Sequence, residues 1–248
     1  MSSPLARSTR LERAAPADGS VGAALAAALA AALATVMPVS CAGCGQPDVA
    51  VCAGCRDAAA ARPVEVSRAE LRVHAGLEYG DVVASLIGAF KDGGRADVAR
   101  VLAPALAASI GTALVGVPRT LGGASGGGLL VATVPSTPAA LRARGYRPVP
   151  VLLAACGIRS TPVLRLARER DDQAGLGAAA RAANAAGGLV ARKRLDGHRF
   201  LLVDDVLTTG STLLEARRAL VAAGATVEAV AVLAETPLRI GRRSGSSR

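Results

Sequence analysis

The chain has 248 residues, 51% of them apolar, enough to bury one large core with a small appendage. Charged residues make up only 19% and mean hydropathy is positive, which excludes a disordered polyelectrolyte. No run of strongly apolar residues reaches the length of a membrane span, and the 28 Gly and 13 Pro follow no collagen-like period. With 2% aromatic residues and no Trp, the chain is poorly equipped to grip single strands by stacking bases.

The net charge of +10 is unevenly placed. Residues 14–141 are near neutral and residues 200–238 are acidic, whereas residues 142–199 hold twelve basic and four acidic side chains, a net +8. So dense an Arg block beside a neutral remainder predicts a polyanionic partner, either nucleic acid or a small phosphorylated ligand.

Residues 1–20 lack apolar periodicity and read as a disordered lead. In Gly22–Met37, Leu25, Leu29, Leu33 and Met37 recur every four residues in an Ala-rich setting, which predicts a helix rather than an export signal. Helical spacing returns at Gly80–Phe90 and Ala96–Thr112, separated by the turn signal Lys91-Asp92-Gly93-Gly94. A Gly-rich linker, Gly122–Gly128, leads into the strand Leu129–Val134 and a turn at Pro135–Pro138. Ala139–Ala155 reads as helix with a break between Gly145 and Pro150. Further strands are expected at Val163–Leu166, Phe200–Val206 and Thr226–Leu233, with a helix over Thr212–Ala223 closed by Gly224. Strands alternating with helices predict a parallel α/β sheet. There is no internal repeat, and the oligomeric state is left open.

Cys41, Cys44, Cys52 and Cys55 form a C-x₂-C-x₇-C-x₂-C pattern. Two close pairs of thiolates can close a tetrahedron around Zn²⁺, with Gly43 and Gly54 letting the backbone bend around it. Two disulfides are the alternative and require an oxidising compartment; a redox pair would need no duplicate. Four ligands leave no open position, so such a metal is structural and remote from chemistry. Cys156 stands alone in an Ala/Leu context and reads as a core residue.

Phe200–Thr212, FLLVDDVLTTGST, is the most informative stretch. An apolar strand ends in two carboxylates, and a hydroxyl-rich loop with one Gly opens a helix. At the carboxyl edge of a parallel sheet, a helix N-terminus offers unpaired N–H groups and a positive dipole end, which suit a phosphate. Gly210 admits close approach, and Thr208, Thr209, Ser211 and Thr212 add hydroxyl donors. Asp204 and Asp205 would repel a phosphate but suit sugar hydroxyls or Mg²⁺. Phosphate and vicinal diol together describe a ribose 5-phosphate.

This stretch resembles the motif of type I phosphoribosyltransferases that binds 5-phosphoribosyl 1-pyrophosphate (PRPP). With the cysteine module, residues 33–235 resemble the ComF/GntX family. Further markers are Phe90-Lys91 with Gly93 and Gly94, Val134-Pro135-Ser136, Arg144-Gly145-Tyr146, and Arg165, Arg168, Arg170, Gln173, Leu176, Arg181 and Asn184. Two segments depart from the family pattern: Arg147-Pro148 replace Asn-Gln, and Asp171-Asp172 stand where Thr is usual.

The resemblance implies a Rossmann-like parallel sheet with flanking helices and a small hood over residues 66–238. A zinc-ribbon-like module would occupy residues 21–65, and residues 239–248 would be a basic disordered tail. It implies a cytoplasmic enzyme that binds PRPP with Mg²⁺ and transfers ribose 5-phosphate to an unnamed acceptor, releasing pyrophosphate. Asp204 and Asp205 would be the catalytic pair and Thr208–Thr212 the phosphate loop. Pro135, Ser136, Arg144, Arg168, Arg170 and Gln173 would serve the pyrophosphate loop and hood. The family association with DNA uptake implies protein partners there. The second reading is a non-catalytic module of that machinery, sensing PRPP or a nucleotide or docking proteins. Direct nucleic-acid binding fits poorly with the scarcity of aromatics and the neutral charge of residues 14–141.

Overall fold

The computed structural model describes residues 39–68, 70–118, 128–167 and 188–237. The expected lead, the Gly22–Met37 helix, most of the Gly-rich linker, the sites Arg168, Arg170 and Gln173, and the basic tail lie outside the described residues. From Ser40 onward the chain forms one compact unit. In chain order its elements are α1 (Ala53–Ala58), β1 (Val64–Arg68), β2 (Leu71–Glu78), α2 (Asp81–Lys91), a 3₁₀ turn (Ala96–Val98) and α3 (Ala99–Ala113). There follow β3 (Leu130–Thr133), α4 (Pro138–Arg144), α5 (Pro148–Ala155), β4 (Leu164–Leu166), β5 (Leu189–Ala191), β6 (Arg199–Leu207), α6 (Ser211–Ala222) and β7 (Thr226–Glu235).

Five strands form one sheet in the order β1-β2-β7-β6-β3. The β2–β7, β6–β7 and β3–β6 pairs are parallel, and β1 alone joins antiparallel, through its hairpin with β2. The expectation of a mixed α/β fold with a mostly parallel sheet is met. β4 and β5 form a separate antiparallel ribbon.

Period-two alternation divides the core between the sheet's two faces. Leu201 and Val203 of β6, with Ala231 and Leu233 of β7, join the cluster that holds α2, α3 and α5. Phe200, Leu202, Val230 and Val232 point the other way, into the cluster with α6 and the ribbon. A one-residue slip of β6 would carry Phe200, Leu201, Leu202 and Val203 each to the wrong face. Each fully buried Leu or Phe contributes about 1.5–3 kcal/mol relative to exposure, so the register is firmly specified.

Among the described residues, Ala96–Ala113 is one segment long and apolar enough to cross a membrane by composition. Leu102, Ala105, Leu106 and Ile110 within it are buried in the first cluster, against β2 and β7. Ala-rich spacing accounts for its hydropathy and for its fit against the sheet alike.

Candidate functional site

β6 carries the acidic pair to the carboxyl end of the parallel strands, where Leu207 lies beside Glu235 of β7. Asp204 Oδ1 accepts a hydrogen bond from the Asp205 N–H at 2.9 Å, and Asp205 Oδ1 accepts one from the Val206 N–H at 2.7 Å. The other Asp205 oxygen, Oδ2, lies 2.8 Å from Lys91 Nζ at the end of α2. Both side chains of this ion pair are mostly shielded, 25% and 15% exposed, so solvent screens it less than a surface bridge.

Asp204 differs from its neighbour. Burial, and then the negative charge of Asp205, push its carboxyl up from the ordinary range to about 7. The Asp205 N–H and Lys91 pull the other way without cancelling the effect. Asp204 therefore changes its protonation state near neutral pH.

The loop after β6 turns at Gly210, which takes the left-handed conformation with φ 82° that a side chain would resist. Gly210 is itself the residue before α6, and no side chain caps the helix from that position. The Ser211 N–H meets the Thr209 hydroxyl at a long 3.4 Å, and the N–H groups of a helix's first turn favour an anion. Thr208, Thr209, Ser211 and Thr212 are all exposed around it, and the hydroxyls of Thr209 and Ser211 lie 3.0 Å apart.

Two further segments converge on this edge. After β3, Val134–Ser136 runs half-buried into α4, which Thr137 caps by accepting a hydrogen bond from the Ala140 N–H at 3.1 Å. Arg144, at the end of α4, donates through Nε to Asp92 Oδ1 at 2.9 Å. Residues 91 and 92 of one turn thus hold the acid of β6 and the arginine of α4. Phe90 just before them faces the Tyr146 ring at 5.8 Å, and the buried Tyr146 hydroxyl has no hydrogen-bond partner among the described residues.

The ribbon adjoins the helix of the phosphate-suited loop. Buried Glu215 of α6 accepts from the Leu189 N–H at 3.0 Å, while Arg218 donates to the Leu189 carbonyl at 2.9 Å and to Glu215 at 2.7 Å. At the ribbon's open end, the Ala167 N–H donates to the Gly188 carbonyl at 2.9 Å.

Two concavities lie elsewhere, one of about 280 Å³ beside Lys193 and Arg218 and one of about 360 Å³ beside Leu114, Leu129 and Arg199. Neither is lined by the acidic pair or by the loop of Gly210.

The sequence places Asp204, Asp205, Thr208–Thr212, Pro135, Ser136 and Arg144 as site residues, and the fold brings these segments to one edge of the sheet. What sequence reasoning missed is the pairing. Lys91 reads equally well as a solvated turn residue, and Asp92 reads only as part of a turn.

The four cysteines gather separately from this edge, with their Sγ atoms within 4.8 Å of one another. Cys44 and Cys52 Sγ are 3.7 Å apart, matching the ~3.8 Å edge of a ZnS₄ tetrahedron with ~2.3 Å bonds and far from the ~2.05 Å of a disulfide. The cluster is close enough to bind a zinc ion. The Cys52 N–H reaches Cys41 Sγ at 3.3 Å. Hydrogen bonds from backbone N–H groups, that of Cys44 foremost and then that of Cys52, lower the Cys41 thiol to about 6. Burial pushes Cys55 upward instead. Gly43 is required here, since a Cβ on it would stand 2.6 Å from Cys55 Sγ.

With this geometry in view, one comparison with known families bears on the C-terminal part of the chain. Residues 143–245 match the family model of the phosphoribosyl transferase domain. The match takes in Arg144, the ribbon, the acidic pair, the Gly210 loop, α6 and β7. No curated protein is similar enough to the chain to count as a match. The chain thus joins a phosphoribosyl transferase domain to a four-cysteine cluster, and the domain supports a PRPP-utilising, transferase-like role.

Proposed function

We propose that the protein binds PRPP at the β6–α6 edge and transfers its ribose 5-phosphate to an acceptor. The observation that carries this reading is the placement of a carboxylate pair on the strand that leads, through the turn at Gly210, into a helix N-terminus ringed by hydroxyls. The 5-phosphate is held by the first-turn N–H groups of α6 and the hydroxyls of Thr208, Thr209, Ser211 and Thr212. Asp204 and Asp205 accept hydrogen bonds from the ribose diol, and in doing so Asp204 gives up its proton. Pro135 and Ser136 form the pyrophosphate loop, with Arg144 beside it. The C1–O bond to pyrophosphate breaks with its electron pair leaving on that group. The acceptor's lone pair forms the new bond at C1, and the acceptor loses a proton. The oxocarbenium character that develops at C1 is favoured by the nearby carboxylates.

The acidic pair fits a Mg²⁺ that arrives with the ligand rather than a cage built by protein alone. Both Asp205 oxygens are engaged, and Asp204 has one oxygen without a described partner. When bound, Mg²⁺ neutralises the diphosphate leaving group. Asp204 is the residue that would touch it.

The four cysteines hold structural Zn²⁺ in the same proposal, supported by the gathering of their sulfurs within 4.8 Å and by the 3.7 Å between Cys44 and Cys52. A cytoplasmic setting, which supplies PRPP and keeps thiols reduced, goes with it. Within the same proposal, the pairing of cysteine module and PRPP-type loop is the reason for placing the chain in the ComF/GntX family, and partners in DNA uptake are proposed only through that resemblance. The test is titration calorimetry of PRPP with Mg²⁺, followed by pyrophosphate release across a panel of nucleobases and amines. Binding without release from any acceptor would favour the sensing module, and no binding at all would sink the proposal.

A further inference from the structure

α2 lies between the two functional clusters of the molecule. At its start, a Cβ added to Gly43 would lie 3.3 Å from Val82 Cγ1, so the cysteine loop rides directly on the helix. Cys41, Val51, Cys55 and Ala59 are buried in one core cluster with Val83, Leu86, Ile87 and Phe90 of α2. Beyond the helix, Arg95 donates to the Ser40 carbonyl through Nη1 and to the Ala50 carbonyl through Nη2, both at 3.1 Å. It is braced in that pose by Asp97 at 2.9 and 2.8 Å. Those carbonyls flank the two cysteine pairs, so the module holds α2 and its following turn at both ends. About 14 Å along the axis from Val82, the same helix ends in Lys91 on Asp205 and is followed by Asp92 on Arg144.

We propose that Lys91 and Asp92 are positioning residues whose placement depends on the cysteine module. They hold the acidic pair of β6 and the arginine of α4 at a fixed separation, and metal binding to the cysteines thereby tightens the ligand site. The inference rests on the PRPP reading for what that site binds. Its physical basis is linkage. A loosened cysteine loop frees the α2 face it covers, and an α2 that shifts carries both ion pairs with it, since Lys91 and Asp92 stand at its end. A change at the cysteine loop can then reach the ligand site through the packed helix, and the effect must be reciprocal. The sequence reading of a metal remote from chemistry concerns distance; energetic coupling through a packed helix is a separate property.

The experiment measures zinc affinity of the full chain by competition with a chromogenic chelator, with and without saturating PRPP and Mg²⁺. PRPP should tighten zinc binding about fivefold or more, and zinc removal should weaken PRPP by the same factor. Lys91→Met should weaken zinc binding even without PRPP and should abolish the reciprocal effect, while Lys91→Arg restores both. Zinc affinity that is indifferent to bound PRPP and to Lys91→Met would overturn the coupling. Failure of the zinc-loaded chain to bind PRPP instead overturns the functional reading. The coupling is then decided by hydrogen exchange on stripping the metal: faster exchange at residues 88–97 and 204–207, with α6 and β7 unchanged, supports it, and unchanged exchange at those residues overturns it.

Discussion

Lys91 and Asp205, 114 residues apart in sequence, form a 2.8 Å ion pair that neutralises one of two adjacent carboxylates at the end of β6. Without it, two like charges would share a largely shielded site, each disfavouring ionisation of the other. Replacing Lys91 by Met keeps most of the aliphatic stem and removes the charge. Breaking a buried pair by deleting one partner can cost about 3–5 kcal/mol; here partial solvent access should reduce that to roughly 1–2 kcal/mol. The loss should depend on pH. With the lysine gone, Asp204 loses a charge that holds its carboxyl down and is pushed further up, and a raised carboxyl weakens the fold as pH rises through its folded value. Thermal melts of Lys91→Met should therefore approach the parent near pH 5 and fall furthest behind at pH 8. A deficit that is constant across that range would show that Lys91 acts by packing alone.

Asp204 gives a second pH signature. Its carboxyl is held at about 7 in the empty site, above the ordinary value of 3.8. A carboxyl raised on folding contributes stability that is complete below the unfolded value and is lost as pH rises through the folded one. The empty protein should thus lose stability between about pH 4 and pH 7, and Asp204→Asn should flatten that slope. Ligand binding should run the opposite way. A ribose diol needs the ionised acid as acceptor, so PRPP affinity of the parent should climb as pH rises toward about 7, with proton release detectable in buffers of different ionisation enthalpy. Hydrogen bonds to charged groups are worth about 1.5–3 kcal/mol, so Asp204→Asn should cost roughly ten- to a hundredfold in PRPP affinity. Equal affinity in a folded Asn variant would remove Asp204 from the site.

The parts of this architecture that were legible in the sequence are those that local pattern dictates. β6, the Gly210 loop and α6 follow one another within 24 residues, and the strand-to-helix change of period announces them. The cysteines declare themselves by spacing. The hairpin of β1 and β2 was missed: Val64–Arg68 is short and mostly exposed, yet Leu71, Val73, Ala75 and Leu77 alternate with Arg72, His74, Gly76 and Glu78 in the period of a strand. What no local pattern encodes is the pairing of β2 with β7, more than 150 residues later. The same holds for Lys91 and Asp92. Their turn is readable from Gly93 and Gly94, whereas their partners are chosen by the tertiary fold. The split at Gly145, by contrast, was visible: α4 ends at Arg144 and α5 begins at Pro148, whose fixed φ suits a first helical position.

Gly43 offers a prediction on the cysteine cluster. Metal analysis of reduced protein should find one zinc per chain, and Cys52→Ser should remove it. Gly43→Ala is the subtler test. Its methyl would meet Cys55 Sγ at 2.6 Å and Cys55 Cβ at 3.0 Å, closer than carbon and sulfur tolerate, so a ligand must move. Zinc affinity should fall by about tenfold or more, the equivalent of a strain near 1.4 kcal/mol. Full zinc affinity in the Ala variant would mean that the loop relaxes without cost.

Gly210 tests the phosphate site itself, because conformation and ligand approach can be separated there. Its φ of 82° costs a non-glycine residue about 1–2 kcal/mol, so Gly210→Ala should lower stability by that amount. Gly210 is buried between exposed Thr209 and Ser211 and stands immediately before α6, so on the proposed reading an added methyl enters the turn where the phosphate meets the helix N–H groups. A phosphate drawn to those groups would then stand off from them. PRPP affinity should fall well beyond what the stability loss alone explains. Gly210→Asn supplies the control, since Asn tolerates the left-handed conformation better yet still brings a Cβ. If phosphate sits at this turn, Asn should recover much of the melting temperature and little of the PRPP affinity. If both recover together, the turn matters only for folding, and the phosphate belongs elsewhere on the edge. Calorimetry and thermal melts on the same three proteins separate these outcomes.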